Sequence, residues 1–178
     1  MSGNLASVLD YAGKFDEARS VAQKTLEIDS SSYVSTYDDL AEADVFSGRA
    51  TEALRAEQTS VRLGPEEPGV RGTLIFMYAA AGDWNNARQL RSAVESENNK
   101  VNDPDLFHAA LAFGEKDKAL TYLEHAFAIR SFYAYTGSPG CDPYIDILKN
   151  EPRYIALMHS AGITICPVRA RWPIGKPA

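Results

Sequence analysis

Three histidines and two cysteines are the residues of this chain best suited to acid–base, nucleophilic or metal chemistry. None of them keeps the company that chemistry needs. His108, His125 and His159 fall in three separate segments, with no HExxH or His–Cys cluster to hold a metal. His125 follows Glu124 within an amphipathic stretch, the setting of a surface histidine rather than a catalytic one. Cys141 and Cys166 do not make a disulfide framework, and neither sits in a CxxC pair. Cys141 has no base beside it, so it reads as an incidental thiol. No GxSxG, Walker or dinucleotide-binding loop is present. The expectation is a non-enzyme with no catalytic residue, no metal and no cofactor.

The glycines that might have cradled a phosphate have another use. Gly13-Lys14-Phe15-Asp16-Glu17-Ala18 is a glycine, four mostly polar or aromatic residues, then an alanine. The phrase returns at Gly48–Ala53, Gly82–Ala87 and Gly114–Ala119, with glycines spaced by 35, 34 and 32 residues. A period of that size marks stacked supersecondary units. Leu5, Val8, Leu9 and Ala12 form a helical stripe before Gly13, and Phe15, Ala18, Ala22 and Leu26 continue one after it. Glycine takes the left-handed conformation cheaply, so it stops the first helix, and the alanine falls where two antiparallel helices cross. Repeating this argument predicts eight helices in four pairs, over approximately 1–32, 33–66, 67–99 and 100–130. The third unit is expected to open near Pro68 and the fourth at Asp103-Pro104.

After residue 130 the pattern changes. Residues 131–162 read as a loop with anchoring rings, followed by two short helices that start at Asp142-Pro143 and at Asn150-Glu151-Pro152. Residues 163–178 read as an irregular tail laid back along the last helices through Ile163, Ile165 and Trp172. The 178 residues are 45% hydrophobic and 24% charged, ordinary for a folded protein long enough to bury a continuous core. The formal net charge of −6 disfavours nucleic acid and anionic membranes as partners. No apolar run approaches the roughly 20 residues of a membrane helix, and Met1–Leu5 lacks the features of a secretion signal. These features point to a cytoplasmic protein of a reducing compartment.

The phrase and its period resemble the tetratricopeptide repeat (TPR) family, whose unit is a helix–turn–helix of about 34 residues. Leu74, Tyr78, Gly82, Trp84 and Ala87 match the family pattern well, and Leu5, Ala6, Gly13, Phe15 and Ala18 nearly as well. The second copy departs from it, with Asp44 at an aromatic position and Ala50 after the glycine. The fourth has Lys116 where an aromatic is usual, and a shortened turn before it. The run from Asp142 to Tyr154 is similar to the segment that closes bacterial TPR arrays lying behind winged-helix, cyclase or Ser/Thr kinase domains. The resemblance implies an all-α, right-handed solenoid of four helical hairpins with C-terminal capping helices, in a bacterial signalling or transcription-regulatory system. In that register Met1 falls two residues into the first helix, leaving the outer face of the first hairpin uncovered. Either the chain is a fragment of a longer array or another subunit covers that face.

The family lines a concave groove with the first helix of each pair, which implies a partner-binding stripe here. Its residues are Ser7, Asp10 and Tyr11, then Asp38, Asp39 and Glu42, then Phe76, then His108, with Asn4, Thr73 and Asp105 on the same faces. The stripe holds no Lys or Arg, so it is a poor receptor for a peptide's C-terminal carboxylates. A protein or peptide segment with basic and apolar residues fits better, whereas an RNA-binding helical repeat would need a basic groove. A simpler reading stays open, in which Asp38, Asp39 and Glu42 are only a solvated acidic face at a helix start. The implied function is a non-catalytic protein–protein interaction scaffold. Self-association through the N-terminal hairpin, and a small-ligand sensor near Tyr11, Phe76 and His108, are the alternatives.

Overall fold

Each glycine phrase ends one helix and begins the next in the computed structural model, which describes residues 3–28, 34–97, 103–131 and 139–175. The helices are α1 (Gly3–Tyr11), α2 (Phe15–Ile28), α3 (Val34–Phe46), α4 (Ala50–Leu63), α5 (Val70–Ala80), α6 (Trp84–Ser96), α7 (Asp103–Ala112) and α8 (Lys116–Ala128). A 3-10 helix (Pro143–Leu148) and α9 (Pro152–Ser160) follow, and the described residues contain no strand. The fold is all-α. The polar break at 29–32, the loop at 132–138 and the side chains of Asn4 and Asp103 lie outside the described residues.

The four turns share one geometry. Gly13, Gly48, Gly82 and Gly114 have φ of 74°, 84°, 80° and 70°, a region that costs any other residue a Cβ clash. The N–H after each glycine reaches back five residues, as in Lys14 to Leu9 at 2.8 Å and Glu115 to Ala110 at 2.9 Å. That bond satisfies a carbonyl the helix end would otherwise orphan. The closing alanines Ala18, Ala53, Ala87 and Ala119 are all 0% exposed, so a methyl group is what each crossing accommodates.

Paired helices pack on one another, and the pairs join through a shared layer. α1, α3, α5 and α7 lie side by side in that order, while α2, α4 and α6 each touch the helix before and the helix after. The core runs from Ala41, Val45 and Phe46 through Ile75, Phe76 and Met77 to Leu111, Leu120, Leu148, Tyr154 and Met158. The residue that broke the repeat pattern has its own contact. Asp44, nearly fully buried, accepts hydrogen bonds from Arg19 Nε at 2.7 Å and Arg49 Nε at 2.6 Å. Arg49 also reaches Asp16 at 3.0 Å. An ionic clamp thus joins the first two pairs, in addition to the Phe15–Phe46 ring stack.

α5 opens at Val70, two residues after Pro68, with Gly69 at φ 92° holding the turn ahead of it. The short helix after Asp142 is a 3-10 helix, capped by Asp142 accepting from the Tyr144 N–H at 2.8 Å. Two expectations need correction. The two cysteines are not unpaired: Cys141 and Cys166 form a disulfide across 25 residues, with Cα atoms 4.8 Å apart. The bond is made possible by a backbone crossing. Gly140 has no side chain, so Thr164 passes directly over it, and the Cys166 N–H donates to the Gly140 carbonyl at 2.8 Å.

The second correction concerns the tail. Residues 163–175 are irregular as expected, and Ile163, Ile165, Trp172 and Ile174 pack on the core. The tail does not stay beside the last helices. The Arg169 and Ala170 N–H groups donate to Asp146 Oδ2 at 3.0 and 3.2 Å. The Arg169 guanidinium donates to the Tyr11 carbonyl at the end of α1. Trp172 then meets Phe76 of α5 edge to face, centroids 5.3 Å apart.

Candidate functional site

The stripe residues lie on the four helices of the shared layer: Ser7, Asp10 and Tyr11 on α1, Asp38, Asp39 and Glu42 on α3, Phe76 on α5 and His108 on α7. Spacings of three and four put Ser7, Asp10 and Tyr11 on one helix face, and likewise Asp38, Asp39 and Glu42. Ser7 Oγ donates to Asp39 Oδ1 at 2.8 Å, tying α1 to α3. Asp38 turns toward α4, where it accepts from the Ser60 hydroxyl.

The carboxylates differ in their surroundings: Asp38, Asp39 and Glu42 are partly exposed, whereas Asp10 is buried. Asp10 is 1% exposed, and neither of its oxygens has a hydrogen-bond partner among the described residues. Glu42 Oε1 is in the same position. Burial, then the negative charges of Asp39 and Asp142, pushes the Asp10 pKa up to about 8. Burial raises Asp39 to about 7 despite its bond from Ser7, and Asp38 to about 6. Glu42 is raised well above the ordinary glutamate value, by burial first and then by Asp142, Asp10 and its α3 neighbours. The Tyr11 hydroxyl is held protonated for the same reasons. Asp10 is therefore not part of a solvated face, while Asp38, Asp39 and Glu42 keep partial access to solvent.

The aromatic half of the stripe is covered by the chain itself. Phe76 is 0% exposed; its ring centroid lies 4.8 Å from Tyr144, 5.3 Å from Trp172 and 6.2 Å from Phe46. His108 donates from Nδ1 to the Pro104 carbonyl at 3.0 Å and meets the Tyr144 ring at 5.1 Å. Burial lowers its pKa, so the imidazole is neutral. The Tyr144 ring thus sits against both Phe76 and His108.

Sequence reasoning missed several members of this site. Tyr144, with a buried hydroxyl lacking a partner among the described residues, joins the two halves. Asp142 adds a carboxylate with its pKa pushed up to about 7 by burial. Glu57 is 0% exposed on α4, with both oxygens unpartnered among the described residues and its pKa raised by burial. Its signal was legible: it shares the buried face of Ala53, Ala56 and Ser60, where a charge has no business. Arg169 was not placed by the sequence, because an irregular tail has no periodicity; Trp172 was expected to pack back, but it does so on Phe76 of α5.

Among the described residues no His, Cys, Asp or Glu group is arranged to hold a metal ion, and none of their helices is long and apolar enough to cross a membrane. What the surface does hold is an extended chain segment, a cation against a helix-end carbonyl and an indole against a buried ring. No protein-family model matches the chain, and no curated protein matches it.

Proposed function

We propose that this chain is a non-catalytic, TPR-like array of four helical hairpins with a C-terminal cap, binding an extended segment of a protein partner across α1, α3, α5 and α7. The partner segment carries basic and apolar residues. One observation carries this reading. The chain's own tail touches two of these helices, with Arg169 on the Tyr11 carbonyl of α1 and Trp172 on Phe76 of α5. Asp10, Asp39 and Glu42 offer carboxyl oxygens that accept from a cationic donor, and a cation beside them favours their ionised form. A role in a bacterial regulatory system remains part of the proposal, resting on the closing Asp142–Tyr154 phrase; the Cys141–Cys166 disulfide argues against the reducing compartment expected from the sequence.

The test is a fluorescence-anisotropy titration of the full chain with two labelled peptides of equal length. One carries an arginine three residues before a tryptophan; the other is acidic with a free C-terminal carboxylate. Saturable binding of the first alone is expected. Equal binding of both, or preference for the acidic peptide, refutes the reading. Asp39→Asn, which is partly exposed, should weaken the first peptide.

A second reading, self-association through the first hairpin, is favoured by Leu5 and Val8, which are 51% and 60% exposed on α1. Light scattering across a concentration series decides it. Growth in mass that Val8→Glu abolishes supports this reading, and a monomer at every concentration removes it.

A further inference from the structure

The tail is tied to the body unevenly. Its base is fixed by the Cys141–Cys166 disulfide and the Cys166 N–H bond to Gly140. Beyond that base, residues 167–175 make no backbone–backbone hydrogen bond among the described residues. They are held by two N–H bonds to Asp146, the Lys149 ammonium on the Pro167 carbonyl at 3.4 Å, the Arg169 contact with Tyr11, and the Trp172 ring. Arg169 and Arg171 stay exposed, and Trp172 and Ile174 are only partly buried. A segment with so few bonds and so little burial opens at a small fraction of the free energy of global unfolding.

The fit is also incomplete. With the tail seated, both Asp10 oxygens, Glu42 Oε1 and the Tyr144 hydroxyl still lack partners among the described residues. A buried carboxylate left unpaired is costly, and a donor that reaches it recovers part of that cost. A segment with a longer or better-placed cation can therefore outcompete the tail on the same surface.

Resting on the reading above, we propose that residues 167–175 are an internal ligand. They occupy in cis the surface that an external segment of the same chemistry, extended and with an arginine three residues before an aromatic ring, takes in trans. Partner binding is then gated by release of the tail, which swings from the disulfide-fixed hinge at Cys166. Because the binding-competent state is only fractionally populated, the apparent affinity for an external segment is reduced by that fraction. A tethered competitor acts at an effective concentration in the millimolar range.

The experiment uses the full oxidised chain and a labelled peptide spanning residues 166–175, with serine replacing the cysteine. Arg169→Ala and Trp172→Ala variants, single and combined, are compared with the wild type by anisotropy, and circular dichroism checks that each is folded. Arg169→Ala touches no core side chain and keeps the test usable if Trp172→Ala unfolds. The expected result is tighter binding to the variants, by about tenfold or more, with a peptide carrying both alanine changes failing to bind any of them. Equal affinity for wild type and variants overturns the gating while leaving the surface as a binding site. Failure of the folded Arg169→Ala chain to bind the peptide at all overturns the tail as a ligand. The surface itself is then judged by the two-peptide titration, which does not depend on the tail sequence.

Discussion

Gly72 offers the sharpest test of how the hairpins are joined. It is the third residue of α5 and faces α7, where a methyl group added to it would meet Asp105 Cα at 2.5 Å and its carbonyl carbon at 2.8 Å. Both are backbone atoms, so no side chain can swing aside. Comfortable carbon contact needs about 3.5–4.0 Å, so α5 and α7 must part by roughly 1 Å. Overpacking of this kind costs about 1–3 kcal/mol. The parting also stretches the 2.8 Å bond from the Gly72 N–H to Asp105 Oδ1, which is buried. A hydrogen bond to a charged group contributes about 1.5–3 kcal/mol. Against this, alanine is favoured over glycine inside a helix by about 1 kcal/mol. The steric and hydrogen-bond losses win, and Gly72→Ala should destabilise by about 2–4 kcal/mol. Urea unfolding followed by far-ultraviolet circular dichroism measures it. Gly82→Ala is the control: no atom lies within 4 Å of its added methyl, but φ is +80°, so about 1–2 kcal/mol of backbone strain is the whole expected effect. A Gly72→Ala chain as stable as the wild type would refute the α5–α7 contact.

Three further outcomes follow from the charges and the crosslink. Asp44→Ala removes a buried acceptor from two arginines that are each about one-third exposed. Solvent compensates the arginines in part, so the loss should be about 2–3 kcal/mol rather than the full 3–5 of a wholly buried pair, and a urea midpoint unchanged within error would contradict the clamp. Asp10, Asp39, Asp142 and Asp38 hold protons in the folded chain up to about pH 8, 7, 7 and 6, whereas the unfolded chain releases them near 3.8. The folded state binds more protons in that window, so stability should fall as pH rises from about 4 to about 8, and Asp10→Asn should flatten the fall; a profile rising over that range in thermal melts contradicts the burial. Finally, the disulfide closes a 25-residue separation, and the chain-entropy argument gives it about 3.5 kcal/mol. A dithiol reductant should lower the urea midpoint accordingly, and two reactive thiols in the oxidised chain would refute the pairing.

The helices were legible because their signals are local. Gly13, Gly48, Gly82 and Gly114 must adopt positive φ, and the alanines five residues on must be small, so a fixed phrase marks every turn. Asp44 was visible only as a departure. That it meets Arg19 and Arg49 depends on how the first two pairs dock, which no local pattern encodes. The stripe positions on α1, α3, α5 and α7 were named from the repeat register, but their burial was not foreseeable. For Phe76 it comes from Tyr144 and Trp172, far along the chain, folding back onto its ring. The cysteines were misread for the same reason: their pairing depends on a crossing at Gly140 and Thr164 that is set by tertiary structure rather than spacing.

The central claim is that the layer formed by α1, α3, α5 and α7 is the surface that takes an extended basic and aromatic segment. Chemical-shift mapping by NMR, with the peptide bearing an arginine three residues before tryptophan added to the full chain, tests it most directly. The expected perturbations cluster at Tyr11, Asp39, Phe76, His108 and Tyr144, together with tail residues Arg169 to Trp172 as they leave their seats. Perturbations confined to the exposed faces of α2, α4, α6 and α8 would contradict the account.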